Sequence, residues 1–519
     1  MVLKGENSET TEDISGIASS FMMFLVRLQG EEEMTGEKDT ICAIATGSGN
    51  AGIGIVRLSG PSAIDIADRL FYGKKKLREL KSYTAAYGHL YSPEDTAAAE
   101  AEKPSGEPLD EVIALVMRAP HTYTTEDVVE LSCHGGALVM RRVQEELLSA
   151  GARLAEPGEF TKRAFLGGRI DLSEAEAVMD VIAAENARAL DASLRQLQGG
   201  LSRNVTELRE KLLYETAYIE SALDDPENYS LDGYAEHLTP VLKDCKKKLL
   251  EMLGTAREGR LLREGIRTAI VGRPNAGKSS VLNLLLGEER AIVTEIAGTT
   301  RDTLEEKTVL GGVQLVLVDT AGIRETEDVV EQIGVQRARE ALRSAELILF
   351  VIDAAEPLSE EDREMLLKLT DPESGEKTDT ASPLIVLLNK NDLMTQVTPE
   401  TVREILEGKK APGEVRILEI SAATGEGKER LSDAVQELFF AGQLLENGEN
   451  YLLNTRHVEA LKDAEEALGR VEESLAAGVG EDFYTIDLLA AYEALGRIIG
   501  ETLEDDLADK IFREFCMGK

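Results

Sequence analysis

The chain has 519 residues, a formal net charge of −39, four cysteines, and 43% hydrophobic and 29% charged residues. That length exceeds a single core and predicts about three or four domains, while the acidic balance opposes nonspecific attraction to nucleic acid or anionic membrane. An RNA substrate would therefore need a local basic patch or a basic partner.

No apolar run reaches the ~18 residues of a membrane helix. Phe21–Val26 is too short, is ended by Arg27, and lacks the flanks of a signal peptide. Cys42, Cys133, Cys245 and Cys516 show no C-x-x-C spacing, which argues for a reducing cytoplasm and against structural zinc.

Residues 1–38 read as a polar, acidic leader, expected to be disordered or not native, with Met34 heading a more ordinary start. From Thr40 strands and tight turns take over. Ile41–Ala45 is followed by a loop with Gly47, Gly49, Gly52 and Gly54, then by Ile55–Leu58, Val112–Met117 and Val128–Cys133, the last entering His134-Gly135-Gly136. No G-K-[ST] follows those glycines, so they form no phosphate loop. The pattern is an α+β domain to about residue 160, with a surface loop at 92–108. Arg57 and Glu130 sit at strand ends and, taken alone, read as ordinary solvated charges.

From Pro157 the texture is helical. Ser173 and Glu176 have capping-box spacing that would open a helix over Ala175–Leu190. Leu190, Leu194, Leu197 and Leu201 follow at helical spacing, and Gly199-Gly200 predicts a bend. Amphipathic helix continues over Leu201–Leu223 and Tyr234–Leu262, and returns over Asn454–Leu475 and Tyr484–Phe515. These stretches are expected to pack as one bundle, which the chain leaves near Arg263 and rejoins near Leu445.

Between them lies Gly272-Arg273-Pro274-Asn275-Ala276-Gly277-Lys278-Ser279-Ser280, a G-x-x-x-x-G-K-[ST] loop entered by the apolar Ala269–Val271. Backbone N–H groups and the dipole of the following helix make such a loop a phosphate site. Lys278 would reach the β- and γ-phosphates, and the Ser279 hydroxyl would ligate Mg2+. Thr299-Thr300-Arg301-Asp302 lies where a mobile switch would sit, with Thr300 the second Mg2+ candidate. Asp319-Thr320-Ala321-Gly322 closes the run Val316–Val318. There Asp319 can hold Mg2+ through water, and the Gly322 N–H can sense the γ-phosphate. Asn389-Lys390-Asn391-Asp392 closes Leu384–Leu388. An ionised Asp392 accepts from the N1–H and 2-amino donors of guanine, a pair that adenine lacks. Ser421-Ala422-Ala423, after the strand Val415–Ile420, completes the base pocket. Five motifs in this order predict a GTPase domain.

With these motifs, the Pro157-Gly158-Glu159-Phe160 stretch and the terminal Phe515-Cys516-Met517-Gly518-Lys519, the chain resembles the MnmE (TrmE) family of tRNA modification GTPases from about Asp39 onward. The resemblance implies an α/β multidomain chain in which a Ras-like P-loop G domain is inserted in an α-helical domain. An α+β folate-binding domain precedes both. The expected division is a leader at 1–38, a folate-binding and dimerisation domain at 39–160, a first helical segment at 161–263, the G domain at 264–442, and a second helical segment with its cysteine motif at 443–519. The family further implies a cytoplasmic homodimer and an FAD-dependent partner, MnmG (GidA), in a heterotetramer, with FAD on the partner alone. Its joint product would be a 5-carboxymethylaminomethyl or aminomethyl wobble uridine in certain tRNAs.

Residue by residue, the resemblance assigns 5-formyltetrahydrofolate or a related reduced folate to Arg57, Glu130, Arg169 and Lys519. Arg169 stands where the family pattern usually carries Lys, and a planar fork is not a point donor. The resemblance extends the GTP site over Thr294, Glu295, Ile296, Ala297, Gly298, Thr299 and Thr300. It gives K+ to Asn275, Thr294, Ile296 and Thr299, and Mg2+ to Ser279 and Thr300. Many P-loop GTPases orient the attacking water with a Gln after Asp-x-x-Gly, but here Ile323 follows Gly322 and cannot. The resemblance points instead to Glu331, with K+ supplying the charge an arginine finger would bring.

By default Cys516, beside Phe512 and Phe515, is a small buried hydrophobe. Its place before the last residues and the nearby Lys510, Arg513 and Lys519 point the other way, since cations raise thiolate content. Two other classes remain open on these residues: a regulatory or ribosome-assembly GTPase without modification activity, and a folate-dependent one-carbon transferase that GTP only regulates.

Overall fold

A computed structural model describes residues 39–93, 104, 106–287, 306–318, 342–370, 382–407, 413–440, 451–501 and 511–518, apart from positions 48, 50, 481, 514 and 517. It contains two compact units: Met1–Met179 with Gln196–Lys247 and Ala460–Lys519, and Asp180–Arg195 with Lys248–Glu459. Among the described residues no helix is long and apolar enough to cross a membrane.

The first unit opens with strands β1 (Ile41–Ile44) and β2 (Gly54–Ser59), helix α1 (Ala63–Leu70), and strands β3 (Phe71–Gly73), β4 (Thr84–Leu90), β5 (Asp110–Met117) and β6 (Val128–Cys133). Helix α2 (Ala137–Ser149), strand β7 (Arg153–Leu154) and helix α3 (Glu159–Leu166) follow. The sheet order is β3-β4-β5-β6-β2-β1-β7, antiparallel except for the β1–β7 pair. Strand β5 shows why. Val112, Ala114 and Val116 are buried while Glu111 and Ile113 are exposed, so the two-residue period gives the sheet one apolar face. Ile66 and Leu70 of α1, and Val143 and Leu147 of α2, join the core on that face.

The helices after Gly167 are α4 (Leu172–Ala183), α5 (Ala187–Leu197), α6 (Gly200–Asp224), α7 (Tyr234–Gly254) and α8 (Ala256–Glu264). Their boundaries correct three expectations. The capping box is Asp171 with Glu174, not Ser173 with Glu176. The Glu174 N–H donates to Asp171 Oδ1 at 2.9 Å, and the Asp171 N–H donates to the Glu174 carboxylate at 3.0 Å. Ser173 instead donates to Asp171 at 2.8 Å. The helix expected over Ala175–Leu190 stops at Ala183, because Asn186 caps a new one by accepting from the Ala189 N–H at 2.8 Å. The run Tyr234–Leu262 likewise breaks after Gly254. The bend at Gly199 is present, with φ +77° at the start of α6.

The second unit's sheet is built from β8 (Ile266–Val271), β9 (Glu306–Leu310), β10 (Val313–Val318), β11 (Leu347–Asp353), β12 (Leu384–Asn389) and β13 (Val415–Glu419). Helices α9 (Lys278–Leu286), α10 (Glu360–Thr370), α11 (Pro399–Leu406) and α12 (Lys428–Phe440) connect them. The order is β13-β12-β11-β8-β10-β9, with only β9 antiparallel to its neighbour. Every residue of β11 and β12 is buried, as expected of parallel strands covered on both faces. Leu261 and Leu262 of α8 belong to this core, so the expected domain break at 263 falls inside the second unit.

After the nucleotide sheet come α13 (Thr455–Ala477) and α14 (Asp482–Ile499). The helical stretches before and after that sheet pack together in the first unit. Arg209 of α6 lies 4.0 Å over the Tyr492 ring of α14 and pairs with Glu501, while Lys246 of α7 pairs with Glu465 and Glu472 of α13 at 3.2 and 3.0 Å. The run expected over Tyr484–Phe515 is interrupted. Gly500, at φ +87°, ends α14, and a short helical turn resumes at residue 511.

Candidate functional site

In the second unit the phosphate loop leaves β8, whose neighbours β10 and β11 carry the chain to opposite sides of the sheet. Such a switch point opens a crevice beyond the strand ends. Gly277 caps α9 at φ +97°, and a Cβ there would lie 2.1 Å from Asn389 Nδ2. Only glycine fits. Lys278 folds back so that Nζ donates to the Gly272 and Arg273 carbonyls, each at 2.9 Å. Asn275, Ser279 and Ser280 are exposed, whereas Ala276 is buried.

The guanine-reading loops meet this loop through Asn389, buried at the end of β12. Its Nδ2 donates to the Ala276 carbonyl at 3.0 Å, and its Oδ1 accepts from the Ala422 N–H at 3.0 Å. Lys390, at φ +67°, pairs with buried Asp353 at 2.6 Å. The Asn391 N–H reaches the Ile420 carbonyl at 3.1 Å. Ser421 donates to Asp392 Oδ1 at 2.6 Å, orienting a carboxylate that stays exposed, as does Ala423. Phosphate loop, Asn389–Asp392 and Ser421–Ala423 therefore form one crevice. Thr294, Glu295, Ile296, Ala297, Gly298, Thr299, Thr300, Asp319, Thr320, Ala321, Gly322, Glu331 and Lys519 lie outside the described residues.

The first unit brings Arg57, Glu130 and Arg169 together. Arg57 and Glu130 are register partners of β2 and β6, and alternation puts both on the face opposite the apolar core. Arg57 Nε and Nη2 donate to Glu130 Oε1 at 2.9 and 2.8 Å, and Nη1 reaches the Gly518 carbonyl at 3.3 Å. The Arg57 guanidinium lies 5.6 Å from the ring centres of both Tyr123 and Phe160. Arg169 lies 4.8 Å over Tyr123 and donates to its carbonyl at 3.3 Å. The sequence reading missed Tyr123. Its one signal was an aromatic residue among polar turn residues, Thr122 to Glu126, just before the strand that carries Glu130.

The C-terminal segment docks on the same unit. Gly158, at φ +70°, donates its N–H to the Cys516 carbonyl at 3.3 Å, and a Cβ there would meet the Phe512 carbonyl at 2.5 Å. Cys516 is exposed, contrary to the default for a cysteine beside phenylalanines, while Phe512 and Phe515 are buried in its place. Cys42, Cys133 and Cys245 are buried, and burial pushes the Cys42 and Cys133 thiols up to about 11 and about 12.

A phosphate loop at a parallel-sheet switch point, tied to an Asp-bearing guanine loop, defines a P-loop GTP-binding protein. The families described as "GTP-binding protein TrmE N-terminus" and "MnmE helical domain" match residues 40–169 and 172–516. A protein named tRNA modification GTPase MnmE from Lachnoclostridium phytofermentans is 49% identical over 93% of this chain and 99% of its own length. Those of the same name from Listeria welshimeri and Enterococcus faecalis are 46% and 44% identical, over 93% and 94% of this chain and 100% of each relative. The chain belongs to the MnmE family of tRNA modification GTPases.

Proposed function

We propose that this enzyme hydrolyses GTP to drive C5 modification of the wobble uridine in certain tRNAs, using a one-carbon unit from a reduced folate. The observation that carries the reading is an exposed thiol, Cys516, on a tail that Arg57 and Gly158 both bind, in a chain that also has a guanine-nucleotide crevice.

The residues of the nucleotide crevice suit their tasks. Asp392 reads the guanine edge, and Lys278 and the N–H groups of the loop neutralise phosphate charge. The exposed Ser279 hydroxyl is an oxygen donor of the kind Mg2+ takes, with Thr300 the second, and the Asn275 side chain is a K+ donor within the loop. Thr294, Ile296 and Thr299 would complete the K+ set. The cations supply positive charge against the transferring phosphoryl group. Glu331 orients the attacking water in the absence of a Gln beside Ile323.

In the folate reading, Glu130 accepts from the amino and ring N–H donors of a pterin, and Arg169 and Lys519 hold carbonyl or carboxylate oxygens. The donor set of Arg57, Glu130 and Arg169 fits such a ligand, since the Arg57–Glu130 side chains are only 15% and 20% exposed yet reach the surface. The redox step belongs to an FAD-dependent partner, with this chain as a cytoplasmic homodimer in a heterotetramer with it. A basic partner would also offset the charge of −39 that opposes tRNA approach.

Mass analysis of wobble nucleosides tests the reading. Cells lacking the chain should lose the modified uridine and regain it on complementation. Unchanged nucleosides would leave a GTPase without modification activity.

A further inference from the structure

We infer that Tyr123 is a positioning residue of the Arg57–Glu130–Arg169 site, the platform that holds two like-charged guanidinium groups together for an anionic, hydrogen-bonding ligand; this rests on the folate reading above. Two cations repel, and among the described residues only Arg57 forms an ion pair with a carboxylate of the site, while Arg169 feels Glu174 only through its field. Arg57 is neutralised by Glu130. Arg169 is exposed, and its contacts in the site are the Tyr123 carbonyl at 3.3 Å and the Tyr123 ring at 4.8 Å. The negative face of an aromatic ring attracts cations, so one ring serving both arginines offsets some of their repulsion.

The ring itself is fixed. Its hydroxyl lies 2.9 Å from Oγ1 of fully buried Thr161, and its chain neighbour Thr124, also buried, lies 2.6 Å from Ser59 Oγ. Arg57 is caged further by Phe160 at 5.6 Å. A guanidinium held over a fixed ring loses freedom, and its remaining N–H donors keep the planar fork that grips a carboxylate with two parallel bonds. The ammonium of a lysine at position 169 would have no such plane. Tyr123 therefore matters most to a chain that carries arginine at 169, and it makes the oriented carboxylate of the ligand the group this site reads.

The test is calorimetric titration of the full chain with 5-formyltetrahydrofolate. Tyr123→Phe keeps the ring but loses its bond to Thr161 and should weaken binding only severalfold, whereas Tyr123→Leu removes the ring and should weaken it about tenfold or more. In the Arg169→Lys background Tyr123→Leu should cost much less, since the planar fork over the ring is already gone. Tyr123→Leu also loses the hydrogen bond to buried Thr161, a loss common to both backgrounds, so the difference between the backgrounds, read beside melting curves, carries the test. Wild-type affinity in Tyr123→Leu, or an equal loss in both backgrounds, overturns the inference while leaving the folate reading intact. A wild type that binds no folate overturns that reading, and this inference with it.

Discussion

Asn389 holds Ala276. The amide of Asn389 donates to the carbonyl of a phosphate-loop residue and at once accepts from Ala422, so one buried side chain sets the distance between the phosphate end and the base end of the crevice. Asn389→Ala should leave the buried Ala276 carbonyl unpaired at a cost of about 1–3 kcal/mol, and the half-buried Ala422 N–H at less. Nucleotide affinity and the melting temperature of the nucleotide-binding unit should fall together. A fluorescent GDP titration beside a melting curve checks this; normal affinity would mean the loops hold their spacing without the bridge.

Ser421 fixes one oxygen of Asp392 and leaves the carboxylate exposed to a base. Asp392→Asn exchanges an acceptor for a donor at that place, which suits the 2-oxo group of xanthine and opposes the 2-amino group of guanine. GTP affinity should drop by roughly tenfold or more and xanthosine triphosphate affinity should rise. Competition binding decides, and retained preference for guanine would remove Asp392 from base reading.

Replacing K+ by Na+ should slow GTP hydrolysis strongly, because Ile323 stands where a water-orienting Gln would follow Asp-x-x-Gly and the cation supplies charge against the phosphoryl group. Glu331→Ala should lower turnover while leaving GTP affinity nearly intact, as expected of a group confined to the chemical step. Equal rates in the two salts would sink the cation's role.

Cys516→Ser should abolish tRNA modification and spare GTP hydrolysis, since the thiol and the nucleotide crevice belong to separate units. Gly158→Ala should do the same by a different route. Its Cβ would displace the backbone at Phe512 and with it the tail that carries Cys516. Normal levels of modified uridine in the serine variant would rule out an essential chemical role for the thiol.

An acid-sensitive clasp ties Asp39, just before β1, to α3. Hydrogen bonds from Arg153 and Arg163 hold the Asp39 carboxyl below its usual range despite some burial. Burial pushes Glu159 up, but Arg153, the Glu156 N–H and Arg163 outweigh it, and its carboxyl is also lowered. Carboxylates lowered by folding stabilise above their unfolded values, and that stability fades as pH falls through the folded values. Arg153→Met should therefore lower the melting temperature at pH 7, with the gap closing toward strongly acid pH. A gap that persists there would assign it to lost packing of the arginine stem.

Much of the nucleotide crevice was legible because its chemistry is local. A loop needing positive φ at Gly277, a lysine after it, and an aspartate at the end of an apolar run are short-range requirements, and each occupies a few consecutive residues. Strands such as β5 and β12 were legible for the same reason, through two-residue alternation and an unbroken apolar run, whereas β3, β4, β7, β9 and β11 were not read from the sequence. Helix ends were less so. Asp171 and Asn186 compete with neighbours of the same capping chemistry, and only the folded backbone decides which side chain reaches an N–H.

The family resemblance named Arg57, Glu130 and Arg169 together, but only the tertiary structure shows how they meet. Arg57 and Glu130 are 73 residues apart, and Arg57 and Gly518 are 461 apart; no periodicity encodes that separation. Sheet register makes the ion pair, the return of the chain brings Gly518 to it, and Tyr123 acquires its role because two arginines from distant elements lie over one ring. By itself the sequence determined which residues could hold a nucleotide. Which charged groups stand together outside that crevice was decided by packing, since a solvated arginine and a site arginine differ in their neighbours and not in their local sequence.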